Sequence, residues 1–352
     1  MNVIFTLFSV YALLAILHST TATINDDGGW RFVWMPLSVL IFLLSATRVG
    51  GSDWENYEYL YIYMSHAESW FDAILKNALF EPGYVVLNYV FNLLSDDRRW
   101  LIKFESAINA YAIWLTLTRF KGGPIILIWL FPLQFANILG VRQTFATSLF
   151  IIAITTLHGR TSVVASIASG LIHISSFLLV FGRAIQKFRF TLRWAALGLV
   201  SIIFFSFLFK YFLYDKINNY IDNAVDLTDL TGLEVFFGKG LTVLMLLGIN
   251  TIARHLPKHT PTTSLVRASS SSRLYLLYFA LMAASVPLPA LARLLTPFEL
   301  LIVWSVCEVI SDIRSRPVRV LLTFVIAVIS TAKMLKIWSQ FGEMYSVCFF
   351  CA

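Results

Sequence analysis

A handful of polar side chains in this oily sequence could do chemistry, and most of them stand in one stretch, Arg48–Gly83. Arg48 and Asp53 come first, separated by Gly50 and Gly51, which let the backbone turn closely. A carboxylate beside a guanidinium can accept a proton or grip a polyol; it can equally be a solvated surface group. Tyr57, Tyr59, Tyr61 and Tyr63 follow among Glu55, Glu58, Glu68, Asp72 and Glu81. Tyr57, Tyr61 and Trp54 read either as an interfacial aromatic belt or as platforms for the apolar faces of sugar rings. Glu81-Pro82-Gly83 also reads as an ordinary helix start, with proline in the first turn and an acid at the positive end of the macrodipole.

Three more candidates lie downstream. Arg142-Gln143 stands between apolar runs. Ionisable groups there are costly and mark function by default. The planar fork of an arginine suits phosphate oxygens, although an arginine at a helix end can also snorkel to the headgroups. His173 lies in the apolar run Gly170–Val180, and an imidazole there is either a hydrogen-bonded core group or a general base. Arg293 precedes Glu299 in the run Leu291–Leu301, as an interfacial anchor, half of an ion pair, or a ligand for an anion. Cys348 and Cys351 have the spacing of a metal or redox pair but lack histidines or a second pair. No P-loop or dinucleotide fingerprint occurs. The expectation is chemistry without a metal or cofactor.

The elements that must position these residues are membrane helices. The chain has 352 residues, 58% hydrophobic and 13% charged, with a mean hydropathy of +0.74; a soluble domain is about 45–50% apolar and about 25% charged. Apolar stretches of roughly 17–25 residues recur along its length, which favours helices over a β-barrel. The expected fold is all-α and polytopic, a single integral membrane domain over residues 1–352 with about 11–12 transmembrane helices. The net charge of +7 is the Lys/Arg excess of cytoplasmic loops and does not imply nucleic acid. Met1–Leu17 lacks a positively charged n-region, and no Lys or Arg occurs before Arg31, so it reads as a retained first span.

Basic loops orient the chain. Residues 182–193, 254–273 and 312–319 should be cytoplasmic. The acidic loop 213–235 should face outside, and so should the first large loop, 47–82. Strict alternation of spans then puts Arg142 on the side away from Arg48 and Asp53. Two features could return it: a break at Pro132 or Gly140, or a segment 83–95 too short to cross.

Taken in order, R-V-G-G-S-D-W-E-N-Y (Arg48–Tyr57), E-P-G-Y (Glu81–Tyr84), V-R-Q (Val141–Gln143), I-H-I-S-S (Ile172–Ser176) and A-R-L-L (Ala292–Leu295) resemble the EpsG family of bacterial polysaccharide polymerases, which are Wzy-like. Thr296-Pro297-Phe298 stands where the family often has a tyrosine-phenylalanine pair. The resemblance implies a GT-C-like enzyme of the bacterial inner membrane, working at the periplasmic face. It would join oligosaccharide units carried on undecaprenyl pyrophosphate, moving the growing chain onto the non-reducing end of a new unit. On this reading Asp53 is the first choice of base, followed by His173 and Glu81. Arg48, Arg142 and Arg293, with Gln143 and Tyr57, would bind substrate. The partners implied are the lipid-linked oligosaccharide, membrane lipid, a chain-length regulator and the repeat-unit flippase. The rival readings are a polyprenyl-linked glycosyltransferase or ligase that acts once, and a flippase that makes no bond.

Overall fold

A chain this apolar must satisfy its backbone internally, and helices do so within a single segment. The computed structural model describes residues 2–21, 27–49, 54–77, 80–120, 122–129, 141–157, 159–173, 176–177, 179–180, 232–257, 264–285, 295–341 and 346–347. These are helical apart from connections and one two-residue antiparallel ladder, so the all-α class holds.

The chain divides into two compact units, Met1–Phe177 with Arg316–Ala352, and Leu178–Ser315. The first begins with α1 (Asn2–Thr21) and α2 (Asp27–Ala46). After α2 comes the short strand β1 (Arg48–Val49), then α3 (Trp54–Tyr63), a single 3-10 turn (Met64–His66), α4 (Trp70–Lys76) and α5 (Pro82–Leu94). The long α6 (Arg99–Arg119) packs against α2 and against α7 (Val141–Thr156), and α7 packs against α8 (Gly159–Ile172). Between α6 and α7, Gly122 takes a left-handed φ of 77° that starts helical residues 123–129.

The second unit packs α9 (Gly232–His255), α10 (Ser264–Ser285) and α11 (Leu295–Ser311) together. Asn250, Tyr275, Tyr278 and Glu299 are buried within it. The last helix, α12 (Arg316–Phe341), returns to the first unit. It lies along α1, where Arg319 Nε donates to the Ser19 carbonyl at 2.8 Å. Strand β2 (Ser346–Val347) then pairs with β1, setting Val347 opposite Arg48 and Ser346 opposite Val49.

By length and composition, one helix among the described residues is apolar enough to cross a membrane, Arg316–Leu335 with a mean hydropathy of 1.9. Shorter apolar stretches run over Phe8–Thr20, Phe32–Ala46, Arg160–Ile172 and Leu274–Ala283. On α12, Leu321, Phe324, Val328 and Leu335 are exposed at helical spacing, while Arg319 is buried. An apolar outward stripe over a polar interior contact is what a lipid-facing helix presents.

Local chemistry fixes the small helices of the first loop. Ser69 caps α4, its Oγ accepting from the Asp72 amide at 3.2 Å. Pro82 takes the first position of α5, where its missing N–H costs nothing. Tyr57, Leu60, Tyr61 and Met64, spaced at i, i+3, i+4 and i+7, turn one face of α3 inward against Tyr84, Val85, Phe145, Ala146 and Ile172. Two bonds tie α3 along α5: Tyr61 Oη donates to the Ser95 carbonyl at 2.7 Å, and Asn92 Nδ2 donates to the Tyr61 carbonyl at 3.1 Å.

Candidate active site

Glu81 sits in the connection just before α5, Arg142 in the first turn of α7 and His173 just after α8. The fold brings all three into contact. One oxygen of Glu81 pairs with Nη1 of Arg142, and the other lies 2.6 Å from Nδ1 of His173. Tyr57 reaches in from α3: its hydroxyl accepts from Arg142 Nε at 3.2 Å. The Arg142 guanidinium also lies over the rings of Phe80 and Tyr57, 4.9 and 5.5 Å from their centroids. Stacking of this kind holds a planar cation in one orientation.

The three charged or titratable side chains are partly open, at 18% for Arg142, 17% for Glu81 and 23% for His173. Burial alone would raise the proton affinity of Glu81. The hydrogen bond from His173 and the Arg142 charge outweigh that and hold its carboxyl down at about 2. Glu81 is therefore an ionised acceptor at neutral pH, which requires His173 to donate from Nδ1. In a neutral imidazole that leaves the lone pair on Nε2. Among the described residues, neither that nitrogen nor Arg142 Nη2 has a hydrogen-bond partner.

The approach of α5 to α8 depends on Gly83. A Cβ there would lie 2.8 Å from the Leu171 carbonyl carbon and oxygen, inside van der Waals contact. Glu81 and His173 flank that crossing on the two strands of chain that meet there. In Gly83→Ala the helices must part, at a cost of about 1–3 kcal/mol, and the carboxylate moves away from the imidazole. Reduced thermal stability together with lower activity per inserted protein is expected. Retention of both at the wild-type level would show that the crossing does not set the Glu81–His173 distance.

Contact between Glu81 and Arg142 places the two side chains together. α5 has 13 residues, about 20 Å at about 1.5 Å per residue, short of a hydrocarbon core of about 30 Å; α6, with 21 residues, is about 32 Å long. The break expected at Pro132 or Gly140 lies outside the described residues.

Of the other sequence candidates, Gln143 is half-buried on α7 beside Arg142. Arg48 is in β1, where its backbone pairs with Val347. Asp53 and Arg293 lie outside the described residues. Tyr57 and Tyr61 are not open platforms: they are 2% and 1% exposed, because they occupy the inward face of α3. Tyr57 instead braces Arg142. Sequence reasoning passed over Arg98, buried at the start of α6, whose guanidinium carbon lies 5.6 Å from the Tyr57 centroid. Tyr57 thus has two guanidinium groups about its ring. Arg98 stands in a charged turn, Asp96-Asp97-Arg98-Arg99, and the sequence held no signal that one of the two arginines turns inward.

No curated protein and no solved structure matches the chain. The family model for EpsG matches residues 31–349, a range that takes in the Glu81–Arg142–His173 cluster and both paired strands. The chain accordingly belongs to the EpsG family, a Wzy-like family of polysaccharide polymerases.

Proposed function

We propose that the Glu81–Arg142–His173 cluster is the reacting centre of a Wzy-type polymerase acting on repeat units linked to a polyprenyl pyrophosphate. The observation that carries this reading is the single carboxylate shared between a guanidinium and an imidazole. His173 Nε2 takes the proton from the acceptor hydroxyl at the non-reducing end of a new unit. That oxygen bonds to the anomeric carbon of the growing chain as the bond from that carbon to the pyrophosphate oxygen breaks. The lipid pyrophosphate departs with the electron pair, and Arg142 faces the charge that develops on it. Glu81 does not take the proton, because a carboxyl held at about 2 is a weak acceptor. It fixes the tautomer and direction of His173, and stabilises the imidazolium, as the carboxylate of a hydrolase triad does. Asp53 is the competing base.

The site would face the periplasm. Arg119 ends α6 and Arg160 begins α8, both at the helix ends away from the cluster, where cytoplasmic arginines belong. The further parts of the proposal are a multi-span fold of about 11–12 helices, a GT-C-like architecture, undecaprenol as the carrier, and a chain-length regulator and flippase as partners.

Purified protein supplied with the lipid-linked repeat unit tests this. A ladder of products longer than one transfer is expected. A single transfer would make the protein a ligase, and the absence of any new bond would leave a flippase. In intact cells, an impermeant thiol reagent should block Ser65→Cys from outside, since Ser65 is exposed in the same loop region as Tyr57. Blocking only after permeabilisation would place the site on the wrong face for this chemistry.

A further inference from the structure

We infer that the outward face of α3 is a carbohydrate-binding ridge, separate from the reacting centre, which holds the polysaccharide chain between additions. The inference rests on the polymerase reading, because it takes the occupant to be the product of that reaction. The inward face of α3 is spent on Tyr57, Leu60, Tyr61 and Met64. On the other side, Tyr59 is 68% exposed and its ring stacks on that of Tyr63, which is half-buried against the edge of that core, with centroids 6.0 Å apart and planes at 23°. The Tyr63 ring continues to His66, again at 6.0 Å and tilted by 32°. From Tyr59 to His66 this stair of rings runs about 10 Å at about 1.5 Å per residue, enough for more than one sugar ring.

Two further observations choose the occupant. Glu55 and Glu58 are exposed on the same helix, α3, WENYEYLYIY, contains no basic residue, and Lys76, a cation near Tyr63, is paired with Asp72 at 2.7 Å. Anionic headgroups or phosphates would be repelled by that frame, and a tyrosine belt seated in lipid would drag both carboxylates toward it. A neutral polyhydroxyl chain meets neither penalty. Its C–H faces pack on the rings, and its hydroxyls donate to the carboxylates. His66 Nδ1 lies 3.1 Å from Ser65 Oγ, which fixes the last ring of the stair. Since the ridge and the Glu81 cluster lie on opposite faces of one helix, a chain held on the ridge stays near the site without occupying it.

The test uses fragments of the polymer, cut from the lipid by mild acid, titrated into detergent-purified protein, alongside the length distribution of products made from the lipid-linked unit. The variant Tyr59→Ala with Tyr63→Ala should bind the fragments roughly tenfold or more weakly. It should also make shorter chains, while its first bond forms within about twofold of the wild-type rate. The variant Tyr59→Phe with Tyr63→Phe should retain both properties. Unchanged fragment affinity in the alanine variant would overturn the ridge, as would wild-type protein that makes polymer but binds no fragment. A change confined to the amount of inserted protein would mark the rings as an interfacial belt and overturn it too. Failure of the polymerase reading shows separately, as wild-type protein that forms no bond, because fragment binding needs no turnover.

Discussion

His173→Gln should lower polymer yield per inserted protein by roughly 10²–10⁴-fold, the range for losing a general base. Glutamine can still donate to Glu81, so the carboxylate keeps a partner and the fold keeps its crossing. What is lost is the lone pair on Nε2, which the Glu81 bond leaves directed away from the carboxylate. Asp53→Asn supplies the contrast. If His173 is the base, this change loses much less; if polymer nearly vanishes in Asp53→Asn and persists in His173→Gln, the base is Asp53. A purely structural histidine would show as normal activity per molecule of inserted protein in His173→Gln.

The second large effect is expected from Arg142→Lys, although the charge is kept. Arg142 uses Nε for Tyr57 and Nη1 for Glu81 while its plane rests on Phe80 and Tyr57. Nη2 is thereby aimed by three independent contacts. An ammonium on a flexible stem cannot satisfy Tyr57 and Glu81 at once and still present a fixed donor to a phosphate. Losing one such preorganised donor costs roughly 10²–10³-fold in rate. Arg99→Lys is the matched control, being exposed at the start of the neighbouring helix, and should be silent. Near-normal chain length in Arg142→Lys at equal protein level would reduce Arg142 to a headgroup anchor.

The sequence alone already singled out Glu81, Arg142, His173 and Tyr57, because charged groups and one histidine stand out in an apolar chain and their motifs occur in family order. Their mutual contact was not legible. It depends on the close approach of α5 to α8 at Gly83 and on α7 beginning beside Glu81, contacts between segments far apart in sequence that no periodicity encodes. The role of Tyr57 was misjudged for a related reason. Tyrosines at 57, 59, 61 and 63 fall on two faces of a helix, 57 with 61 and 59 with 63, and periodicity separates the pairs without saying which faces inward. Packing against Tyr84, Phe145 and Ile172 decides it. Arg98 stayed hidden because the turn around it is uniformly charged, and no pattern distinguishes the arginine that folds in from the one that stays out.

For the proposed reaction, one consequence of the shared carboxylate concerns timing. Glu81 divides its charge between a guanidinium and an imidazole. When a pyrophosphate engages Arg142, that cation turns part of its attraction to the newcomer, and the carboxylate's charge becomes available to the imidazolium that forms as the acceptor loses its proton. Donor capture and proton removal are then thermodynamically linked through one residue: each favours the other by the same factor. A water molecule entering without a donor meets a proton acceptor whose counter-charge is still committed elsewhere. Under the proposed reaction, the arrangement would tie readiness of the site to the presence of the correct leaving group.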